Sequence, residues 1–185
     1  EMVTALGRKI WVHTKNVVER INGQTVMRTA LLQDVTERKK VDAIIWRQAN
    51  FDTLTGLPNR QMLRDRLEQT ILLGKRSNVP VALMFIDLDN FKEVNDNLGH
   101  EFGDRLLVEA GRRIQQCVRT SDTVARMGGD EFMVVLSAPP DVSVLGALAQ
   151  SILDALSKPF SLSAQWVYVS ASAGISVFPS DGVEI

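Results

Sequence analysis

The run Val79-Pro80-Val81-Ala82-Leu83-Met84-Phe85-Ile86 is the longest apolar stretch in the chain, and it leads straight into Asp87-Leu88-Asp89. It is far too short to span a bilayer, which takes about 20 apolar residues as a helix. It reads instead as a strand over 79–88 buried on both faces, and so as the middle of a sheet covered by helices. Carboxylates at the end of such a strand are held rigidly beside a cleft. Hard cations such as Mg²⁺ take oxygen ligands in fixed geometry, which makes Asp87 and Asp89 candidates for a metal site. Taken alone, Asp-Leu-Asp reads more simply as a solvated strand-end turn.

The segments around this strand alternate in period. Asn59 can cap a helix through Leu72, with Met62, Leu63, Leu67, Ile71 and Leu72 on its core face. Two helical stretches follow the strand, 90–98 and 101–118, with Gly99 between them. Segments 123–127 and 132–136 form a hairpin around Gly128-Gly129. A helix over 142–157 carries Leu145, Leu148, Ile152 and Leu156 on one face, and 166–178 alternates as a strand. This order is not a strict β-α alternation. The predicted fold is α+β, a mixed, largely antiparallel central sheet flanked by helices.

Ahead of this lies a second pattern. Residues 7–35 read as a β-hairpin, with Trp11, Val12, Val17, Val18 and Ile21 before Asn22-Gly23 and Val26, Met27, Leu31 and Leu32 after it. Asn-Gly between apolar-rich runs is a strong hairpin signal, because both turn residues must tolerate positive φ. A lone hairpin is marginal in water, so this one is expected to belong to a sheet whose other strands are missing. Asp34 or Thr36 can cap the helix that follows over 36–50. Its stripe of Val41, Ile44, Ile45 and Gln48 suits a partner helix in a parallel coiled coil, or docking on its own domain. The expected organisation is 1–35, a linker helix over 36–50, and a domain over 51–185. The chain opens at Glu1 without an initiator Met, and a cut through a longer protein is expected.

Composition removes several function classes. Of 185 residues, 45% are hydrophobic and 23% charged, a globular profile. The net charge of −1 marks no nucleic-acid binder. A single cysteine, Cys117, excludes an internal disulfide and a cysteine-rich zinc site, and is expected to be a buried structural thiol.

The hairpin tip adds to the acidic strand end. Gly128-Gly129 permits a tight turn and removes side chains that would block a ligand's approach to the backbone. Asp130 and Glu131 follow at once, and adjacent acids repel unless a cation or solvent relieves them. Together with Asp87 they suggest two carboxylate sets converging on a metal that bridges phosphates and activates a hydroxyl. Asn95 and Asp104 together can match the donor and acceptor edge of guanine, and Lys92, one turn before Asn95, can reach a phosphate. Each of these residues singly, and His100 after Gly99, reads as an ordinary cap or surface group.

The run Phe85-Ile86-Asp87-Leu88-Asp89-Asn90-Phe91-Lys92, then Asn95-Asp96, Gly99-His100 and Gly103-Asp104, resembles the GGDEF domains of bacterial diguanylate cyclases. Asp52-Thr53-Leu54-Thr55-Gly56-Leu57-Pro58-Asn59-Arg60 resembles that family's opening signature, and residues 128–132 are its namesake motif. Residues 1–40, with the exit run Asp34-Val35-Thr36-Glu37-Arg38, resemble more weakly the end of a PAS sensor domain.

The GGDEF resemblance implies a palm-like nucleotide-cyclase fold. It implies condensation of two GTP molecules into cyclic di-GMP, with release of two pyrophosphates, across a homodimer in which each subunit presents one GTP. Carried over, Asp87, the Leu88 carbonyl and Asp130 hold Mg²⁺ or Mn²⁺, and Asp130 or Glu131 helps deprotonate the attacking hydroxyl. Gly128 and Gly129 admit the substrate, Lys92 contacts phosphate, and Asn95 and Asp104 read guanine with His100 nearby. Arg119 and Asp122 match the family's inhibitory site for product. One departure is that the family continues into a helix whose Lys and Arg touch the phosphates, whereas this chain stops at Ile185. A truncated domain with weakened binding and turnover is expected. A cytoplasmic setting fits, with a membrane anchor or sensor and EAL-type domains elsewhere in the full-length chain. Two other readings stand beside the enzyme: a regulatory module that binds GTP or cyclic di-GMP, and a dimerisation and signal-relay element.

Overall fold

The computed structural model describes residues 2–4, 6–22, 24–139, 141–162 and 165–182. Its contacts divide the chain into two compact units, Glu1–Ala49 and Asn50–Ile185.

The first unit pairs two short strands, β1 (Met2–Val3) and β2 (Lys9–Ile10), and then two long ones, β3 (Val12–Ile21) and β4 (Gln24–Asp34). The long pair is the predicted hairpin. Asn22 takes the left-handed conformation there, with φ of 51°, while Gly23 lies outside the described residues. Among the described residues the hairpin forms a two-stranded sheet. Helix α1 (Thr36–Asn50) starts on a local clamp. The Thr36 amide donates to Asp34 Oδ1 at 2.9 Å, and the Trp11 amide donates to Thr36 Oγ1 at 2.9 Å. Val41, Ile44 and Ile45 on α1 are all more than half exposed.

The second unit is built on the expected α+β plan. Helix α2 (Arg60–Ser77) begins where Asn59 caps it, the side chain accepting from the Met62 amide at 3.1 Å. It runs past Leu72 to Asn78, which ends it in the left-handed conformation. Strand β5 (Val81–Leu88) is followed by helices α3 (Phe91–Leu98) and α4 (His100–Cys117), and by the hairpin of β6 (Thr123–Gly128) and β7 (Glu131–Ser137). Helix α5 (Val142–Ser157) is capped by Asp141, which accepts from the Ser143 amide.

The expected strand over 166–178 is broken. A small hairpin, β8 (Phe160–Leu162) with β9 (Gln165–Val167), precedes β10 (Ala171–Phe178). The two parts have different partners, β9 pairing with β8 and β10 with β5. The Ser170 carbonyl accepts from the Asp89 amide at 2.9 Å, and its hydroxyl donates to Asp89 Oδ2 at 2.6 Å. These bonds bind the chain before β10 to the end of β5.

The main sheet has the order β10-β5-β7-β6, with every pair antiparallel. Alternation along β5 sends Ala82, Met84, Ile86 and Leu88 into a core shared with α4 and α5. Val81 and Leu83 face the other way, against Leu63, Leu67 and Ile71 of α2. The unit is therefore layered as α2, sheet, and α4 with α5. Arg113 fastens the helical layer by donating to the carbonyls of Ala155, Lys158 and Pro159, with its guanidinium 3.7 Å from the Phe160 ring centroid. Cys117 is half-buried rather than buried. Its sulfur lies 3.9 Å from the Ser151 carbonyl, and burial pushes its thiol above the ordinary range.

Candidate active site

The acids meet where β5 and β7 end together. Register places Asp87 directly opposite Glu131, and the Leu88 amide points at the Asp130 carbonyl at 3.4 Å. Strand alternation puts Asp87 on the face of Val81 and Leu83, and Glu131 on the face of Met133 and Val135. Asp87 and Glu131 therefore share one sheet face, and Asp130 lies in the turn next to them. Burial pushes the Asp87 carboxyl above its usual range, and the charges of Asp130, Glu131 and Asp89 push it the same way.

The tip joining β6 to β7 turns on glycine. Gly128 and Gly129 have φ of 135° and 53°, and a Cβ on either would point into open space. Register shifts between Arg126 and Gly128, a bulge that re-aims the strand just before the turn.

Asp89 behaves differently from Asp87. Its oxygens accept from the Ser170 hydroxyl at 2.6 Å and the Ser172 hydroxyl at 2.9 Å. Of the Asp-Leu-Asp pair, Asp87 is the acid that faces Glu131, while Asp89 ties β5 to β10.

The base-reading candidates lie on α3 and α4. Asn95 is half-buried, and its Oδ1 rests so close over Gly103 that a Cβ there would overlap it. This places the Asn95 amide beside the backbone that carries Asp104. Lys92, His100 and Asp104 are exposed. A cleft of about 630 Å³ lies along α3, lined by Asp89, Asn90, Glu93, Asn97 and Tyr168 among others. It includes none of Asp87, Asp130, Lys92, Asn95 or Asp104, so the acid pair on β5 and β7 marks the chemistry better than the cleft does.

Arg119 and Asp122 form a tight turn after α4. The Arg119 amide donates to Asp122 Oδ2 at 3.1 Å, and the Asp122 amide donates to the Arg119 carbonyl at 3.0 Å. A hollow of about 140 Å³ opens beside them, lined by Cys117, Val118, Leu136 and Leu145.

Among the described residues, no three His, Cys, Asp or Glu side chains gather closely enough to hold a metal on their own. Two mutually repelling carboxylates beside a main-chain carbonyl still make an all-oxygen donor set. That chemistry fits Mg²⁺ or Mn²⁺.

The family model for "Diguanylate cyclase, GGDEF domain" matches residues 49–185. The chain belongs to that family. MucR of Pseudomonas aeruginosa, a bifunctional diguanylate cyclase/cyclic di-GMP phosphodiesterase, is 41% identical over 168 residues, covering 90% of this chain and 24% of that protein. PdeR of Escherichia coli, a cyclic di-GMP phosphodiesterase, is 40% identical over 149 residues, covering 80% of this chain and 22% of that protein. The chain thus spans about a quarter of the length of these curated relatives. Among solved structures, a sensory box/GGDEF family protein from Caulobacter crescentus superposes with a TM-score of 0.68 at 42% identity, covering 72% of this chain and 86% of that one.

Some residues of this GGDEF domain that shape the site are invisible to pattern reading. Arg126 is the chief one. Its guanidinium donates to both Asp52 oxygens at 3.1 Å and to the Gly129 carbonyl at 2.8 Å and 3.0 Å. Ser170 and Ser172 are others. Their only sequence signal is a pair of hydroxyls two apart at the start of a strand.

Proposed function

We propose that this GGDEF domain condenses two GTP molecules into cyclic di-GMP, releasing two pyrophosphates. The observation that carries the reading is the β5–β7 register, which sets Asp87 opposite Glu131 with Asp130 at the adjoining turn. Asp87, the Leu88 carbonyl and Asp130 would hold Mg²⁺ or Mn²⁺, which when bound neutralises phosphate charge and favours attack at the α-phosphorus. Asp130 or Glu131 takes the proton from the 3′-hydroxyl of the ribose. The bare Gly128-Gly129 turn leaves room for the triphosphate, and Lys92 supplies a mobile cation for it. Asn95 and Asp104 read the guanine edge, with His100 at its rim.

Each subunit presents one GTP, and ring closure needs the hydroxyl of each to attack the other's α-phosphate. A homodimer is therefore the working form. The exposed stripe on α1 is suited to hold the two copies together. Residues 1–35 would be the end of a PAS-like sensor, 36–50 the signalling helix and 51–185 the catalytic domain, acting in the cytoplasm. Among the described residues no helix is long and apolar enough to cross a membrane. Product bound at Arg119 and Asp122 would inhibit, since an Arg fork and a carboxylate match guanine and phosphate.

A second reading is kept because PdeR is named for hydrolysis of cyclic di-GMP. In that reading the domain binds GTP or cyclic di-GMP and regulates an EAL-type neighbour. GTP turnover by the full-length protein with Mg²⁺ separates the two. Cyclic di-GMP formation that disappears in Asp130→Ala supports the cyclase. GTP binding with no product, unaltered by Asp130→Ala, overturns it. For feedback, a product titration should give inhibition that weakens in Arg119→Ala.

A further inference from the structure

The ion pair between Arg126 and Asp52 joins residues 74 apart in sequence, and its two side chains are only 11% and 21% exposed. Unlike the ion pairs between neighbours three or four apart on the helices, it ties a loop to a strand. Asp52 belongs to a loop that is closed on itself. Its amide donates to the Leu57 carbonyl at 2.8 Å, Phe51 bridges to Pro58, and the Thr55 amide and hydroxyl both donate to Asp52 Oδ1. The Arg126 amide then donates to the Pro58 carbonyl at 3.0 Å. Arg126 is thus fixed at its backbone and at one end of its guanidinium by a rigid loop. The other end of that guanidinium is spent on the Gly129 carbonyl.

We propose that Arg126 is a positioning residue for the catalytic turn, holding the Gly129 carbonyl from the Asp52 loop so that Asp130 and Glu131 are presented at one fixed angle to Asp87. The proposal rests on the cyclase reading for its effect on rate. The need for such a holder is physical. Two adjacent glycines leave the turn with little conformational restraint of its own. The acids that follow repel Asp87 and would swing away from it. A planar guanidinium can serve a carboxylate and a carbonyl at once in fixed directions, whereas an ammonium on a flexible stem cannot. Arg126 itself touches none of the acids of the site, so its influence passes through the backbone of Gly129.

The test uses the full-length protein with Arg126→Lys, which keeps the charge, and Asp52→Asn, which keeps the shape of the loop residue. Small misplacement of reacting groups costs up to about 100-fold in rate. Arg126→Lys should therefore lower kcat at least about tenfold, with KM for GTP changed less than about threefold. Asp52→Asn should show a smaller loss of the same kind. Hydrogen exchange provides a readout that needs no activity. Amides at 127–131 should exchange about tenfold faster in Arg126→Lys, with the rest of the domain unchanged. An unchanged kcat, unchanged exchange at the turn, or exchange that rises evenly across the domain would each overturn the proposal. If the wild-type protein makes no cyclic di-GMP, the cyclase reading fails, and local exchange at the turn alone decides whether Arg126 holds it.

Discussion

Asp87 and Glu131 are direct cross-strand partners, two acids facing each other at the end of an otherwise apolar strand pair. Like charges in this position are destabilising by a few tenths of a kcal/mol to about 1 kcal/mol. Without divalent ions, Asp87→Asn or Glu131→Gln should raise Tm by about 1–3 °C, the scale expected for a domain of this size. Adding Mg²⁺ should raise Tm of the wild-type protein and do little for Asp87→Asn. Calorimetry with and without Mg²⁺ checks both. A variant less stable than wild type without metal would show that the acids are held by contacts other than each other.

Asp52 carries a pH prediction. Burial disfavours its charge, but hydrogen bonds from Thr55 and Arg126 outweigh burial and hold the carboxyl below the usual value of 3.8. A folded-state pKa below the unfolded one stabilises above the unfolded value, and that stability is lost as pH falls through the folded value. Asp52→Asn should therefore cost about 1–2 kcal/mol at pH 7, from hydrogen bonds to a charged group. The gap from wild type should narrow once pH drops below 3.8. Urea melts from pH 3 to pH 7 measure it. A gap constant with pH would mean that the Asp52 charge plays no part.

What the sequence made legible follows from period and from local chemistry. The buried strand, the Asn59 cap and the bare hairpin tip are signals carried within a few residues, and each is found where the pattern puts it. Register was not legible. Nothing local says that residue 87 pairs with 131 rather than with 130 or 132, and a one-residue slip would turn Glu131 to the opposite face. The break before β10 was hidden for a related reason. Val167, Val169 and Ala171 keep strand alternation through it, while β9 pairs with β8 and β10 with β5, partners that lie in different stretches of sequence. Arg126 escaped notice because its partners Asp52 and Pro58 are remote in sequence.

Ser170 and Ser172 together account for both oxygens of Asp89. Replacing either by Ala should cost at most about 1 kcal/mol, since the acceptor is charged but the bond is exposed to solvent. The pair should not be additive, because both bonds hold the same carboxylate. Chemical unfolding of Ser170→Ala, Ser172→Ala and the double variant tests this. Asp89→Ala should resemble the double variant, and strict additivity would show that the serines act separately.

Gly103→Ala offers a test of the base-reading geometry that removes no polar group. The new methyl would overlap Asn95 Oδ1 and press on the Phe91 ring, while Asp104 and His100 keep their own positions on α4. Because the overlapped atom is the end of a short side chain, the amide should rotate aside and the helices stay packed. If Asn95 reads guanine, GTP affinity should fall about tenfold, the scale of one lost hydrogen bond in a partly buried site. Circular dichroism and Tm should hardly change. Calorimetric titration with GTP decides the matter: an unaltered Kd in a well-folded Gly103→Ala would take Asn95 out of the guanine site and leave Asp104 as its remaining candidate.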